Sequence, residues 1–223
     1  MNITGLIDQV IQSIPLFKPE LCLIISFILT ILASLFMDRH WKFSSLIFTL
    51  LGMMASFCSL LPQIGHPDNG FFGMISLDNL AVYSRMIILF GCMLSALFLA
   101  QYFNRSQQGK SPGDCYSILL AATLGLHLLC MTSNWLMAFI AIEMVSICSY
   151  ILVGYFSATR KQAEAAMKYA LFGSVCAAVM LYGISLIYGL TGDLDFKSMQ
   201  HIQGLIDAPA AVVNIALLFI FVG

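Results

Sequence analysis

Long apolar runs recur along this chain, separated by short polar joints, and they constrain the fold more than any other feature. Seven can be drawn: about 20–37, 43–61, 80–103, 114–132, 134–156, 164–190 and 210–223. A helix rises about 1.5 Å per residue, so about 17–25 apolar residues span a bilayer. The first six runs meet that length. Only 9% of the residues are charged and 60% are apolar, with a mean hydropathy of +0.93. A soluble domain carries about 25% charged residues. The expectation is an all-α, polytopic transmembrane bundle of six complete helices and a truncated seventh.

The seventh run, AAVVNIALLFIFVG, is 14 residues long and has neither a basic nor an aromatic anchor. It reads as a chain cut inside a helix rather than as a short final helix. The opening segment MNITGLIDQVIQSIPLFKPE lacks a basic region and a small-residue cleavage site, and reads as a short interfacial segment ending at Pro19. Two units are expected, 1–113 with the first three helices and 114–223 with helices four to six and part of seven.

Composition also excludes functions. A net charge of −1 gives no nucleic-acid footprint. Cys22, Cys58, Cys92, Cys115, Cys130, Cys148 and Cys176 are scattered without a CxxC pair and read as small apolar side chains, not metal or cluster ligands. No Gly-rich phosphate loop follows a strand, so the chain is not expected to bind NAD.

Short-loop cations set the orientation. Arg39, Lys42, Arg105, Lys110, Arg160 and Lys161 follow helices one, three and five, whereas the opposite side holds Lys18, Lys197 and, near helix three's end, Arg85. That places the N-terminus outside and the basic loops in the cytoplasm, or in the matrix of a mitochondrion.

Ionisable residues inside the runs carry the functional question. Glu143 lies mid-run, about 15–20 Å from either end, too deep to snorkel. An acidic or basic side chain at a helix centre costs about 2.5–3.5 kcal/mol on insertion scales. It is either a neutral tie between helices or a carboxyl that loads and releases a proton beside a hydrated path. Ser146 and Tyr150, at i+3 and i+7, share its face and either solvate the charge or simply pack. Lys168, in the first turns of helix six, is either a snorkelling anchor or a cation turned toward the Glu143 side, though nearer the cytoplasmic end. His127, in helix four, is either a hydrogen-bonded packing residue or a proton carrier. Snorkelling accounts for Arg85, Glu164 reads as part of a solvated loop, and Asp193, Asp195, Lys197, His201 and Asp207 read as mostly solvated outer-loop residues.

Those residues carry a resemblance. Ile142-Glu143, Ser146, Tyr150 and Leu152 are followed by Glu164-Ala165 and Lys168-Tyr169. Tyr182-Gly183, Tyr188, Thr191-Gly192-Asp193-Leu194 and Phe196 complete the pattern. It resembles the proton-translocating antiporter-like membrane subunits of respiratory complex I, in the branch of bacterial subunit N and its mitochondrial counterpart subunit 2. The match is dense over 133–196; from 20 to 130 only hydropathy and helix count agree.

The resemblance implies the N-terminal half of a fold of ~14 helices built around two inverted repeats with broken helices. It implies that Glu143 pairs with a lysine on the broken seventh helix, beyond Gly223. Lys168 would tune or relay on the cytoplasmic side. No cofactor would be bound by this chain; NADH and quinone would be used elsewhere in the complex, whose other membrane subunits, with the lipid bilayer, would be its partners. Quinone chemistry elsewhere would change the charge state along the membrane arm and so drive a proton across. The expected location is a bacterial inner membrane, with the mitochondrial inner membrane as alternative. His127 falls where the family often has an apolar residue, so the resemblance gives it no role. Two other readings fit the residues: an Mrp-type cation/proton antiporter subunit, and a purely structural membrane subunit.

Overall fold

The structure, a computed structural model, describes residues 3–36, 43–105 and 112–223. Arg39, Lys42 and Lys110, three of the cations used for orientation, lie outside them. The described residues form helices α1 (Ile3–Ser13), α2 (Lys18–Phe36), α3 (Ser44–Leu60), α4 (Asn79–Arg105), α5 (Pro112–Met131), α6 (Trp135–Tyr155), α7 (Arg160–Thr191), α8 (Met199–Asp207) and α9 (Ala210–Val222). Among them, six helices are long and apolar enough to cross a membrane. They match the six complete runs of the sequence.

Chain direction alternates from span to span, which defines two faces of the bundle. The starts of α2, α4 and α6 and the ends of α3, α5 and α7 meet at one face. That face carries a small antiparallel hairpin, β1 (Asp68–Gly70) on β2 (Ile75–Leu77), with Asn69 opposite Ser76. The hairpin turn is held in the left-handed region at Phe71 and Phe72 (φ 52° and 57°), which costs non-glycine residues energy unless the surroundings impose it. Here they do. The Phe71 amide donates to Ser13 Oγ (3.0 Å), the Ser133 amide to Met74 O (3.1 Å), and Lys197 Nζ to Ser76 Oγ (2.8 Å). Isolated bridges join Ile75 to Thr132 and Asn134 to Asp195. The α3–α4, α5–α6 and α7–α8 joints are thus stitched into one cap.

Small residues let α2 and α3 approach closely. Ser45, Thr49 and Ser56 of α3 are buried against Ser26 and Thr30 of α2. Ser26 Oγ donates to Phe48 O (3.0 Å), and Thr30 and Thr49 share a hydroxyl contact of 3.3 Å. In lipid the hydrophobic drive between helices is absent, so such close packing and shared hydroxyls hold them. The core forms where α5 is enclosed by α2, α3, α4 and α6. One cluster gathers Leu23, Met53, Leu60, Val82, Leu89 and Leu120; a second, under the hairpin, gathers Ile75, Leu77, Leu128, Met131 and Ala141.

The stretch after α7 differs from expectation. It contains α8, whose start is capped by Ser198 Oγ accepting from the His201 amide (3.4 Å), and α8 meets α9 at a bend of 119°. Pro209 cannot donate the backbone bond that would continue one helix into the next. The last apolar run is therefore one limb of a bent pair. Glu164, expected in a loop, is inside α7, because Thr159 and Gln162 form a capping box that starts the helix at Arg160.

Candidate functional site

Glu143 sits on the eighth residue after Trp135, about 12 Å into α6 from the hairpin face. Its orientation follows from its neighbours. A Cβ built on Gly125 of α5 would touch Ala141, Met144 and Val145, so that side of α6 faces α5. Glu143 is about 200° round the helix from Ala141 and turns away from α5. Tyr150 shares its side, and the Tyr150 ring meets Tyr169 of α7 edge-on at 4.8 Å and covers Gly173. The stripe Glu143–Ser146–Tyr150 therefore lies on the α7 side of α6. Glu143 is half-buried, and among the described residues its carboxylate has no hydrogen-bond or ion-pair partner.

Lys168 does not reach it. With Tyr150 set against Tyr169 and Gly173 on an antiparallel helix, the α7 residues level with Glu143 are about 176–180. Lys168 lies about 12–18 Å farther from the hairpin face. Its Nζ donates to Glu164 Oε1 (2.7 Å) in a pair with both side chains more than 60% exposed. The local i,i+4 spacing wins because it needs no crossing between helices. Of the residues expected together, the structure brings Ser146 and Tyr150 to the Glu143 face and leaves Lys168 near the other end.

His127 and Arg85 form a site that the sequence reading missed. Arg85 is fully buried, not snorkelling. Its Nη1 donates to Glu20 Oε1 (3.0 Å), its Nη2 to Gln63 Oε1 (3.0 Å), and its Nε to Ala81 O (3.2 Å). His127 Nδ1 stands 3.1 Å from the same Glu20 Oε1. Glu20, Arg85 and His127 all have 0% exposure. The signal was present in the alternation of the spans. Glu20 opens α2, Arg85 is in the second turn of α4, Gln63 follows α3 and His127 ends α5. All four thus fall at one depth beneath the hairpin face, where opposite charges can pair.

A second buried histidine lies nearer the surface. His201, expected in a solvated loop, is 4% exposed. Its Nε2 accepts from Trp135 Nε1 (3.3 Å), so Nδ1 carries the hydrogen and donates to Asp193 O (2.9 Å). Beside it, Asp193 is held below the usual carboxylate range, chiefly by the Ser198 hydroxyl and also by the Asp195 and Leu194 amides and the neighbouring His201. This is a structural latch between α6, α7 and α8.

Comparison with known proteins places the Glu143 helix within a family. Residues 132–223 match the family described as NADH:quinone oxidoreductase/Mrp antiporter, transmembrane. Over 203 residues the chain is 34% identical to NAD(P)H-quinone oxidoreductase subunit 2 of Prochlorococcus marinus strain AS9601, covering 91% of this chain and 39% of that one. Residues 132–223, with the Glu143 helix, belong to this family. It is also 28% identical to NADH-quinone oxidoreductase subunit N of Chlorobium chlorochromatii strain CaD3, over 100% of this chain and 44% of that one.

Among solved structures, respiratory complex I from Thermus thermophilus with bound aureothin contains a similar chain. The TM-score is 0.71 at 27% identity, covering 92% of this chain and 42% of that chain. The Mrp complex from Dietzia sp. DQ12-45-1b shares the fold, with a TM-score of 0.66 at 18% identity over 92% of this chain and 23% of that chain. The chain spans about two fifths of the length of its curated relatives. The family match covers Glu143, Ser146, Tyr150 and Lys168, whereas Glu20, Arg85 and His127 lie outside it.

Proposed function

We propose that the full-length protein is a membrane-arm subunit of an NADH:quinone oxidoreductase and moves protons across a bacterial inner membrane, with its N-terminus outside. NADH oxidation and quinone reduction take place in other subunits; this chain binds neither molecule and contributes no redox centre. Its partners are the other membrane subunits and the bilayer. The similarity of nine tenths of the chain to curated quinone oxidoreductase subunits supports this over an Mrp-type antiporter.

One observation carries the proposal: a carboxylate about 12 Å inside a span, half-buried and without a protein partner among the described residues. A carboxylate used only to tie helices together would be hydrogen-bonded to a neighbour, because an unpaired polar group in hydrocarbon costs several kcal/mol. A carboxylate that must exchange a proton needs one side left free. Ser146 and Tyr150 line its face. The resemblance implies that its cationic partner is a lysine on helix seven. Lys168, about 12–18 Å away along α7, acts at the other face rather than by contact.

The test is Glu143→Gln in the full-length protein, assayed in inverted native membrane vesicles. Proton pumping and NADH oxidation are followed together, with assembly checked by native gels. Pumping should fall to background while the complex stays assembled. Normal pumping with normal turnover would make Glu143 a packing residue and end this reading.

A further inference from the structure

The buried Glu20–Arg85–His127 cluster is absent from the family pattern quoted above and from the family-matched segment. Its chemistry differs from that of a simple ion pair. Arg85 carries a permanent charge and is fully paired: all three of its nitrogen types donate to protein oxygens. Set against that guanidinium, the Glu20 carboxylate presents only acceptor atoms. The imidazole nitrogen facing it, Nδ1, therefore carries the ring hydrogen and donates. Nε2 is left as the basic nitrogen, with its lone pair free.

Among the described residues, three buried side-chain polar atoms lack a hydrogen-bond partner: Glu20 Oε2, His127 Nε2 and Ser56 Oγ. Two of the three belong to this cluster. Buried polar atoms in folded proteins are nearly all satisfied, so a pair of exceptions in one ion-paired group calls for a reason. A structural tie would have been complete with Glu20 and Arg85 alone. Adding an imidazole whose outer nitrogen has no partner provides a base, and the carboxylate behind it is placed to hold the ring's tautomer and to face the imidazolium. Acid–base catalysis uses the same division of labour, with carboxylate behind imidazole.

We propose that His127 Nε2 is a buried proton-binding site, loaded from the hairpin face of the membrane, with Glu20 and Arg85 as its positioning residues. This rests on the proton-translocation reading above and adds a proton-binding site on the α2 side of α5, separate from Glu143 on the α7 side of α6. A proton from water adds to the Nε2 lone pair, giving imidazolium against carboxylate, and leaves by the same nitrogen. The net charge of the cluster changes from zero to +1 and back. His127 is four residues from the end of α5, about 6 Å deep, and Glu143 is about 12 Å deep on the adjacent helix. The imidazole thus lies between the aqueous face and the level of the carboxylate.

Among the described residues, no other charge touches the ring. The charged residues with described side chains on α5 and on the elements packed against it, namely α2, α3, α4, α6 and β2, are Asp114, Lys18, Glu20, Arg85 and Glu143. Of these only Glu20 contacts His127, and Arg85 acts through it. The thiols on these elements are Cys115 and Cys130 on α5 and Cys22, Cys58, Cys92 and Cys148 on the packed helices.

The test uses His127→Asn in the full-length protein within the assembled complex. Asn keeps a donor where Nδ1 stands but has no base where Nε2 stands. Infrared difference spectra of the complex with ring-labelled histidine, taken between about pH 5 and 8, should show an imidazole–imidazolium band pair in the wild type. That pair should vanish in His127→Asn and move in frequency in Glu20→Gln, which removes the carboxylate facing the ring. Protons pumped per NADH oxidised should fall in His127→Asn while assembly is retained.

If no band pair is lost in His127→Asn, the site does not exist. If the band pair is lost but pumping is unchanged, His127 binds a proton off the transport path and the proposal fails there. Glu143→Gln run in parallel separates the two failures. Normal pumping in that variant overturns the transport reading, and the infrared bands alone then decide whether His127 takes a proton.

Discussion

Arg85 Nη1 lies 3.0 Å from Glu20 Oε1, and neither side chain has any solvent exposure. The two residues are 65 positions apart and tie α4 to α2 below the hairpin face. Removing one partner leaves a bare charge in an apolar setting, which costs about 3–5 kcal/mol, whereas removing both can be nearly neutral. Arg85→Leu and Glu20→Leu should each lower the thermal stability and yield of the complex sharply, and the double variant should recover much of the loss. A double variant as unstable as the sum of the singles would show that the pair is not coupled.

Gly183 and Gly189 sit on the same helix in opposite situations. A Cβ on Gly183 would stand 2.7 Å from Ala216 O and 2.9 Å from Ile220 N, backbone atoms of α9, whereas a Cβ on Gly189 would meet nothing within 4 Å outside its own helix backbone. Gly183→Ala should push α7 and α9 apart at a cost of about 1–3 kcal/mol. Gly189→Ala should be neutral or mildly stabilising, since Ala exceeds Gly in a helix by up to about 1 kcal/mol. Melting curves of the two variants side by side read the difference; equal effects would mean that α7 and α9 are not in close contact.

Asp193 makes the α7–α8 latch sensitive to acid. Its carboxyl is held below the usual range by the Ser198 hydroxyl and the Asp195 and Leu194 amides. A depressed folded-state value means that the stabilisation is complete above the unfolded value, about 3.9, and is lost as pH falls through the lower, folded one. Hydrogen-exchange protection over residues 192–198, taken relative to the intrinsic rate at each pH, should be high at neutral pH and fall only below about pH 4. Asp193→Asn should exchange faster than wild type at neutral pH and match it in strong acid. An Asn variant as protected as wild type at neutral pH would remove the carboxylate from the latch.

Much of this architecture was legible in the residues. Each spanning run announced a helix to within a few positions, because a bilayer leaves a chain few other ways to satisfy its backbone. Elements outside the bilayer were not. The nine-residue α8 is too short and too polar to register as a run, and the hairpin has only three residues per strand. Glu143, Ser146 and Tyr150 were read onto one face from spacing alone, and the structure keeps them there. Lys168, read as lying nearer the cytoplasmic end than Glu143, is near that end of α7, and only its pairing with Glu164 was not foreseen. Arg85 was misread because an arginine six residues into a helix has two physical outcomes, reaching outward or pairing inward. Only the position of Glu20 on another helix decides between them.

The cap at the hairpin face also determines where this bundle can move. Bridges from Ile75 to Thr132 and from Asn134 to Asp195 rivet the spans together at that end. A rod pinned at one end is a lever. For α7, with 32 residues and a length of about 48 Å, a tilt of about 5° about the capped end displaces the far end, together with the end of α6 packed on Tyr169, by about 4 Å. Lys168 rides on the long arm of that lever, while His127 and the Glu20–Arg85 pair sit at the fulcrum. Any shape change passed along the membrane would therefore reach Lys168 as displacement and reach the buried imidazole as almost none.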